Sequence, residues 1–137
     1  MPGSEERIAL AGESGIVAAR QRAREAARRL GFGLVDQSRI ATAVSELARN
    51  VVRYAVNGEG NVTIRELAAP TSRIGIEIVV RDNGPGIADV AQAMRDGFTS
   101  GNGLGLGLPG TKRLMDEMQL ESALGSGTTV TIRKWRR

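Results

Sequence analysis

Glu46 and Asn50 stand four residues apart in SELARN (Ser45 to Asn50), and Asp82 opens the turn DNGPG (Asp82 to Gly86). GNGLGLGL runs from Gly101 to Leu108, and GSGTT (Gly125 to Thr129) follows near the end of the sequence. Together these segments hold the parts of a site for a purine, a triphosphate and a metal ion. A carboxylate at the end of an apolar strand can accept a hydrogen bond from the exocyclic amine of adenine. Gly84 and Gly86 let backbone approach the base, and Pro85 stiffens the turn between them. An ordinary strand-to-loop turn also favours Asp and Gly, so DNGPG alone is weak evidence.

The glycine-rich run admits two readings that fail on context. Gly105, Gly107 and Gly110 fit the dinucleotide pattern G-x-G-x-x-G, but no strand leads into them. Gly105 and Gly110 imitate a P-loop, yet Thr111-Lys112 follows in place of Lys and Ser/Thr. What remains is a row of bare backbone amides (Gly103, Gly105, Gly107) at a helix N-terminus, which forms an anion cradle. Leu104, Leu106 and Leu108 alternate with those glycines and can anchor the loop against the core.

Asn50 can offer an amide oxygen to Mg2+, an ion satisfied by few protein ligands together with water and phosphate. Glu46, one turn earlier, can orient or deprotonate a hydroxyl or water attacking the terminal phosphate of ATP. Arg53 can reach the phosphates as a charge partner. Tyr54 either packs on the adenine face or fills the core.

These groups need particular elements to carry them. Apolar spacing predicts a helix over Ile16 to Leu30, ended by Gly31 to Gly33, and a second from an Asp36 N-cap to about Val56. Ile40, Val44, Leu47 and Val51 form the buried stripe of the second helix, with Glu46, Asn50 and Arg53 on a flank. Arg7 to Leu10, Val62 to Leu67, Ile74 to Arg81, Met118 to Leu124 and Thr128 to Trp135 read as strands. Asn57 to Asn61 reads as a turn, Ile87 to Arg95 as a short helix and Asp96 to Gly103 as a flexible loop. Pro109 suits the first turn of a helix reaching about Met118.

The sequence has 137 residues, consistent with a single domain over 1–137. It contains neither cysteine nor histidine, which excludes a thiol nucleophile, a disulfide framework and a self-phosphorylating histidine. Any base acting near neutral pH is a carboxylate or an unusual lysine. No apolar run reaches the roughly 18 residues of a membrane span, so a soluble, cytoplasmic protein is expected. The net charge is +4; Arg20, Arg24 and Arg28 recur at helical spacing, and RKWRR closes the sequence. With so few aromatic residues to stack on bases, no nucleic-acid partner is expected.

The four segments together resemble the GHKL superfamily, with SELARNVVRYA similar to its N box, DNGPG to G1, GNGLGLGL to G2 and GSGTT to its terminal G-T element. The resemblance implies a Bergerat ATP-binding fold: a two-layer α/β sandwich whose mixed, largely antiparallel sheet carries helices on one face. It implies Asn50 as magnesium ligand, Asp82 as adenine reader with Gly84 and Gly86 as the base-side turn, and Gly103, Gly105 and Gly107 on the phosphates beneath a mobile lid. Thr128 would assist Asp82 through water, and Glu46 would be the catalytic base.

VDQSRIATAVSELARN, DGFTSGNGLGLGLPGTKRLMDEM and IRKW further resemble the RsbT-like serine/threonine kinases, a branch of the anti-sigma and switch-protein kinases. That resemblance implies phosphorylation of STAS-domain antagonists (RsbS/RsbR-like) in a stressosome, and activation of a PP2C-type phosphatase (RsbU-like). The alternative is an anti-sigma kinase that binds an RNA polymerase sigma factor. That branch often carries a histidine soon after the N-box Asn, where this sequence has Arg53-Tyr54.

Overall fold

The computed structural model describes residues 5–54, 59–68, 73–83, 107–123 and 127–136, with the backbone alone at Tyr54 and Ala123. Its elements run β1 (Glu5–Ala11), α1 (Glu13–Arg29), α2 (Leu34–Tyr54), β2 (Glu59–Ala68), β3 (Ile74–Asp82), α3 (Gly107–Leu114), β4 (Glu117–Ala123) and β5 (Gly127–Trp135). The five strands form one sheet in the order β1-β2-β3-β5-β4, and every neighbouring pair is antiparallel. The expected short helix over Ile87 to Arg95 and the loop from Asp96 to Gly103 lie outside the described residues, as do Asn57 and Gly58 of the expected Asn57 to Asn61 turn; Glu59, Gly60 and Asn61 belong instead to β2, where they pair with Ala11, Leu10 and Ala9.

Strand alternation divides the sheet into two unlike faces. Ile8, Val62, Val80, Val130 and Leu120 are paired across one row, and Ile64, Ile78, Ile132 and Met118 across the next. Both rows join the buried residues of α1 and α2 in one core, in which Ile40, Val44, Ile76, Ile78 and Ile132 are wholly inaccessible. The stripe Ile40, Val44, Leu47 and Val51 is buried as its 3.6-residue spacing predicts. On α1, the small residues Ala19, Ala23, Ala26 and Ala27 fill the corresponding face.

The turn between these helices is fixed by backbone chemistry. Gly31 takes φ +89°; its N–H donates to Arg28 O and that of Phe32 to Ala27 O, both at 3.0 Å. These bonds satisfy carbonyls that the end of α1 would otherwise leave open. β1, α1 and β2 extend beyond their expected starts, and two further boundaries differ for a visible reason. α2 begins at Leu34, which places Asp36 inside its first turn, where it pairs with Arg39 at 3.0 Å. α3 ends at Leu114 instead of near Met118, because Asp116 N–H already donates to Arg133 O and starts the approach of β4.

One charged residue lies on the helix-facing side of β5. Lys134, 5% exposed, donates from Nζ to Leu114 O at 3.0 Å and stands 3.7 Å from Asp36 and 3.9 Å from Asp116. It therefore ties the end of α3 to the start of α2.

The opposite sheet face carries an ionic ladder across four residues of adjacent strands. Arg65 and Arg133 each reach Glu77 at 2.7 Å, and Arg133 also reaches Glu117 at 3.1 Å. Hydrogen bonds to Glu77 and then Glu117 raise the Arg133 pKa above its ordinary value. Glu117 accepts from Trp135 Nε1 at 2.8 Å, and that bond, followed by the one from Arg133, holds its carboxyl below the ordinary carboxylate value of 4.5. A depressed folded-state pKa stabilises the fold above the unfolded value and loses that contribution as pH falls through the folded one. Glu117→Gln is therefore expected to melt below the parent at neutral pH, with the difference shrinking once pH falls below 4.5 and on through the lowered folded-state value. Melting curves from pH 7 to 3 check this; a constant difference across the range contradicts it.

Candidate nucleotide site

The far end of β3 is where the predicted groups collect. Leu10, Gly60, Asp82, Thr128 and Ser122 are paired in sequence across all five strands, one row beyond Ile8, Val62, Val80, Val130 and Leu120 and on the same side of the sheet. Asp82 Oδ1 accepts the main-chain N–H of Thr128 at 3.2 Å. The Thr128 hydroxyl lies 2.9 Å from Ser122 Oγ, and that same Ser122 hydroxyl is within hydrogen-bond reach, 3.0 Å, of Gly127 O. Thr128 and Asp82 are thus joined directly through the main-chain amide, while the Thr128 hydroxyl faces Ser122 on the neighbouring strand.

This junction requires close backbone approach. Gly127 adopts φ +77°, and a Cβ there would collide with the Asp82 carbonyl oxygen. Gly127→Ala is accordingly expected to cost about 3 kcal/mol, combining left-handed strain with displacement of β3. Urea unfolding measures it, and a loss below about 1 kcal/mol contradicts the packing described.

Gly60, paired with Asp82, brings the helix layer to the same place: a Cβ at Gly60 would lie 2.7 Å from Val51 Cγ1. Val51 follows Asn50 directly, so the C-terminal half of α2 overlies the Asp82 row. Glu46 and Asn50 are half-buried on that helix, whereas Arg53 is exposed. Glu46 is paired with Arg49, Oε1 to Nη1 2.8 Å, and only 14% of its side chain is exposed. Ser45 beside it turns inward and donates to Ala41 O at 2.9 Å.

α3 begins within the glycine-rich segment. Gly107 opens it with φ +68°, and its carbonyl accepts from Thr111 Oγ1 at 2.9 Å. Leu108 packs against the core, as its alternation with the glycines predicts. Gly84, Gly86, Gly103, Leu104, Gly105 and Leu106 lie outside the described residues, as does the Tyr54 side chain.

Two participants were not singled out by the sequence. Arg49 was legible from its i, i+3 spacing to Glu46. Ser122 was not, because only the register of β4 and β5 sets it beside Asp82. Among the described residues no group of three or more His, Cys, Asp or Glu could hold a metal ion. None of their helices is long and apolar enough to cross a membrane.

Comparison with known proteins gives a consistent neighbourhood. A family model described as the histidine kinase-like ATPase domain matches residues 11–134. The chain is 52% identical over 122 residues to the serine/threonine-protein kinase RsbT of Bacillus subtilis, covering 89% of this chain and 90% of that protein. It is 37% identical over 100 residues to the anti-sigma F factor of Caldanaerobacter subterraneus, covering 70% and 68%. Among solved structures, the RsbU and RsbW domains of a Mycobacterium tuberculosis protein superpose with TM-score 0.64 at 20% identity, covering 100% of this chain and 34% of that one. The mycobacterial sensor histidine kinase MprB superposes with TM-score 0.59 at 23% identity, covering 98% and 99%. The structural likenesses show the fold: a sheet layered with helices.

Proposed function

The chain belongs to the histidine kinase-like ATPase domain family, and from that premise we propose that it is a serine/threonine protein kinase using ATP and magnesium. Its substrates are small STAS-domain antagonists of a bacterial stress-response partner-switching module in the cytoplasm. Once released from them, it activates a PP2C-type phosphatase. The observation that carries the reading is the Asp82–Thr128 junction beneath the half of α2 that bears Glu46 and Asn50.

In this reading Asp82 takes the adenine amine, with Gly84 and Gly86 at the base and Tyr54 at its face. The amides and leucine-anchored backbone from Gly103 through Leu108 take the phosphates, and Arg53 adds positive charge. Thr128 holds the Asp82 carboxylate in place through its main chain. Asn50 suits magnesium because that ion accepts a single protein oxygen and completes its shell with phosphate and water. The ion supplies charge neutralisation to the phosphates. Glu46, oriented by Arg49, accepts the proton of the attacking hydroxyl as its oxygen bonds to the terminal phosphorus and the bond to the leaving phosphate breaks.

Identity to the RsbT kinase exceeds identity to the anti-sigma F factor, which favours the switch-kinase branch. The 37% likeness to the latter supports a second reading, binding of a sigma factor. Incubation with labelled ATP, magnesium and a panel of STAS-domain proteins tests the first: label is expected on a serine or threonine of one of them. No label on any STAS protein, with a sigma factor retained in a pull-down, reverses the order.

A further inference from the structure

Lys134 stands in an apolar row. It follows Val130 and Ile132 at alternate positions of β5 and is paired with Ile76, which is wholly buried. An apolar side chain there would extend the core without taking a charge out of water. Replacing a buried ion pair by apolar groups is often neutral or even stabilising, so the carboxylates 3.7 and 3.9 Å away do not by themselves account for a lysine. What the lysine supplies and an apolar residue cannot is a donor: Nζ donates to Leu114 O at 3.0 Å. Leu114 ends α3, and a cation on the last carbonyls of a helix also opposes the negative end of its dipole.

α3 needs such a tie. It has eight residues, a length at which an isolated helix is marginal in water. Pro109, Gly110 and Thr111 are buried, and Leu108 and Leu114 pack against the core. The backbone bond that follows its last turn, Met115 N–H to Lys112 O, is long at 3.3 Å. Gly107, at the other end, stands only about 10 Å from Leu114 along the axis. Fraying or tilting of α3 at Leu114 therefore moves the backbone at Gly107 and Leu108.

We propose that Lys134 is a positioning residue for the phosphates of the nucleotide. By holding Leu114 O it fixes one end of α3 and so aims the amides at the other. Asp36 and Asp116 offset the burial of its charge, whereas the tether itself is the bond from Nζ to the carbonyl. The proposal rests on the reading above only in placing phosphates at the start of α3.

The test is calorimetry on the full chain with magnesium, using ADP and, separately, adenosine, which lacks phosphates. The parent is expected to prefer ADP. Lys134→Met is expected to weaken ADP binding about tenfold and to leave adenosine within about twofold of the parent. Asp36→Asn/Asp116→Asn breaks the same ion pairs yet keeps the tether, so it is expected to lose stability while holding the ADP-to-adenosine ratio within about twofold. Lys134→Met combined with Asp36→Asn/Asp116→Asn carries no uncompensated charge and is expected to show the selective loss of ADP, so the result does not depend on the single variant folding. Circular dichroism at the titration temperature shows which variants are folded.

Equal weakening of ADP and adenosine by Lys134→Met overturns the proposal, since the lysine would then serve the fold alone. An unchanged ratio in the folded lysine variants overturns it too, as does an equal fall in the ratio when only the two carboxylates are neutralised. A parent that binds ADP no better than adenosine overturns it at its premise. Failure of the kinase reading shows separately, as a parent that binds ADP through its phosphates but transfers no label from ATP.

Discussion

Glu46→Gln is expected to bind ATP and ADP within about twofold of the parent yet transfer phosphate about 10²- to 10⁴-fold more slowly, the usual span for removing a general base. The substitution keeps shape and hydrogen-bonding reach, and Glu46 lies on α2 apart from the Asp82 row that would read the base. Calorimetry separates binding from chemistry, and single-turnover label transfer isolates the chemical step. A rate within a factor of about three of the parent would remove this carboxylate from proton transfer. Arg49 offers a graded control: it pairs with Glu46 at 2.8 Å but is not itself the base. Arg49→Ala is expected to lower transfer about tenfold, because the carboxylate loses orientation and keeps its chemistry.

The second large effect concerns stability. Lys134→Met is expected to destabilise the fold by about 3 kcal/mol, toward the lower end of the cost of breaking a buried ion pair, since Asp36 and Asp116 keep some access to water. Methionine matches the stem of the lysine, so packing is largely retained and the loss reports on the charge. The Leu114 carbonyl at the end of α3 would also lose its donor. Denaturant unfolding measures the loss. Adding Asp36→Asn and Asp116→Asn should recover part of it, because the uncompensated carboxylates are then gone.

Much of this was legible in the sequence where the signal is periodic. The α2 stripe, the alanine face of α1 and the alternation of β3 follow from 3.6- and 2-residue spacing, and each is buried as the spacing requires. Asp36 misled the boundary of α2 because a good capping residue outweighed two apolar residues with no visible partner. Leu34 and Val35 are helical yet exposed, so hydrophobic periodicity cannot find them.

Lys134 sat in a run that reads as a basic tail. Alternation from Val130 and Ile132 already assigns it to the inner face, but its acids come from Asp36 and Asp116, brought near by tertiary packing alone. At the site, Glu46 and Asn50 were legible as one helical flank and Asp82 as a strand end. Resemblance alone linked Thr128 to Asp82, since the inter-strand register that joins them is encoded by no local pattern.

The strand order has a consequence for synthesis. Among the five strands of this sheet β5 is synthesised last, yet it lies inside the sheet between β3 and β4. Until it emerges, β3 keeps an open hydrogen-bonding edge and Asp82 lacks the amide that holds it. A stalled or prematurely stopped product therefore exposes an apolar β3 flank and has no finished place for a purine, a species suited to chaperones and proteases.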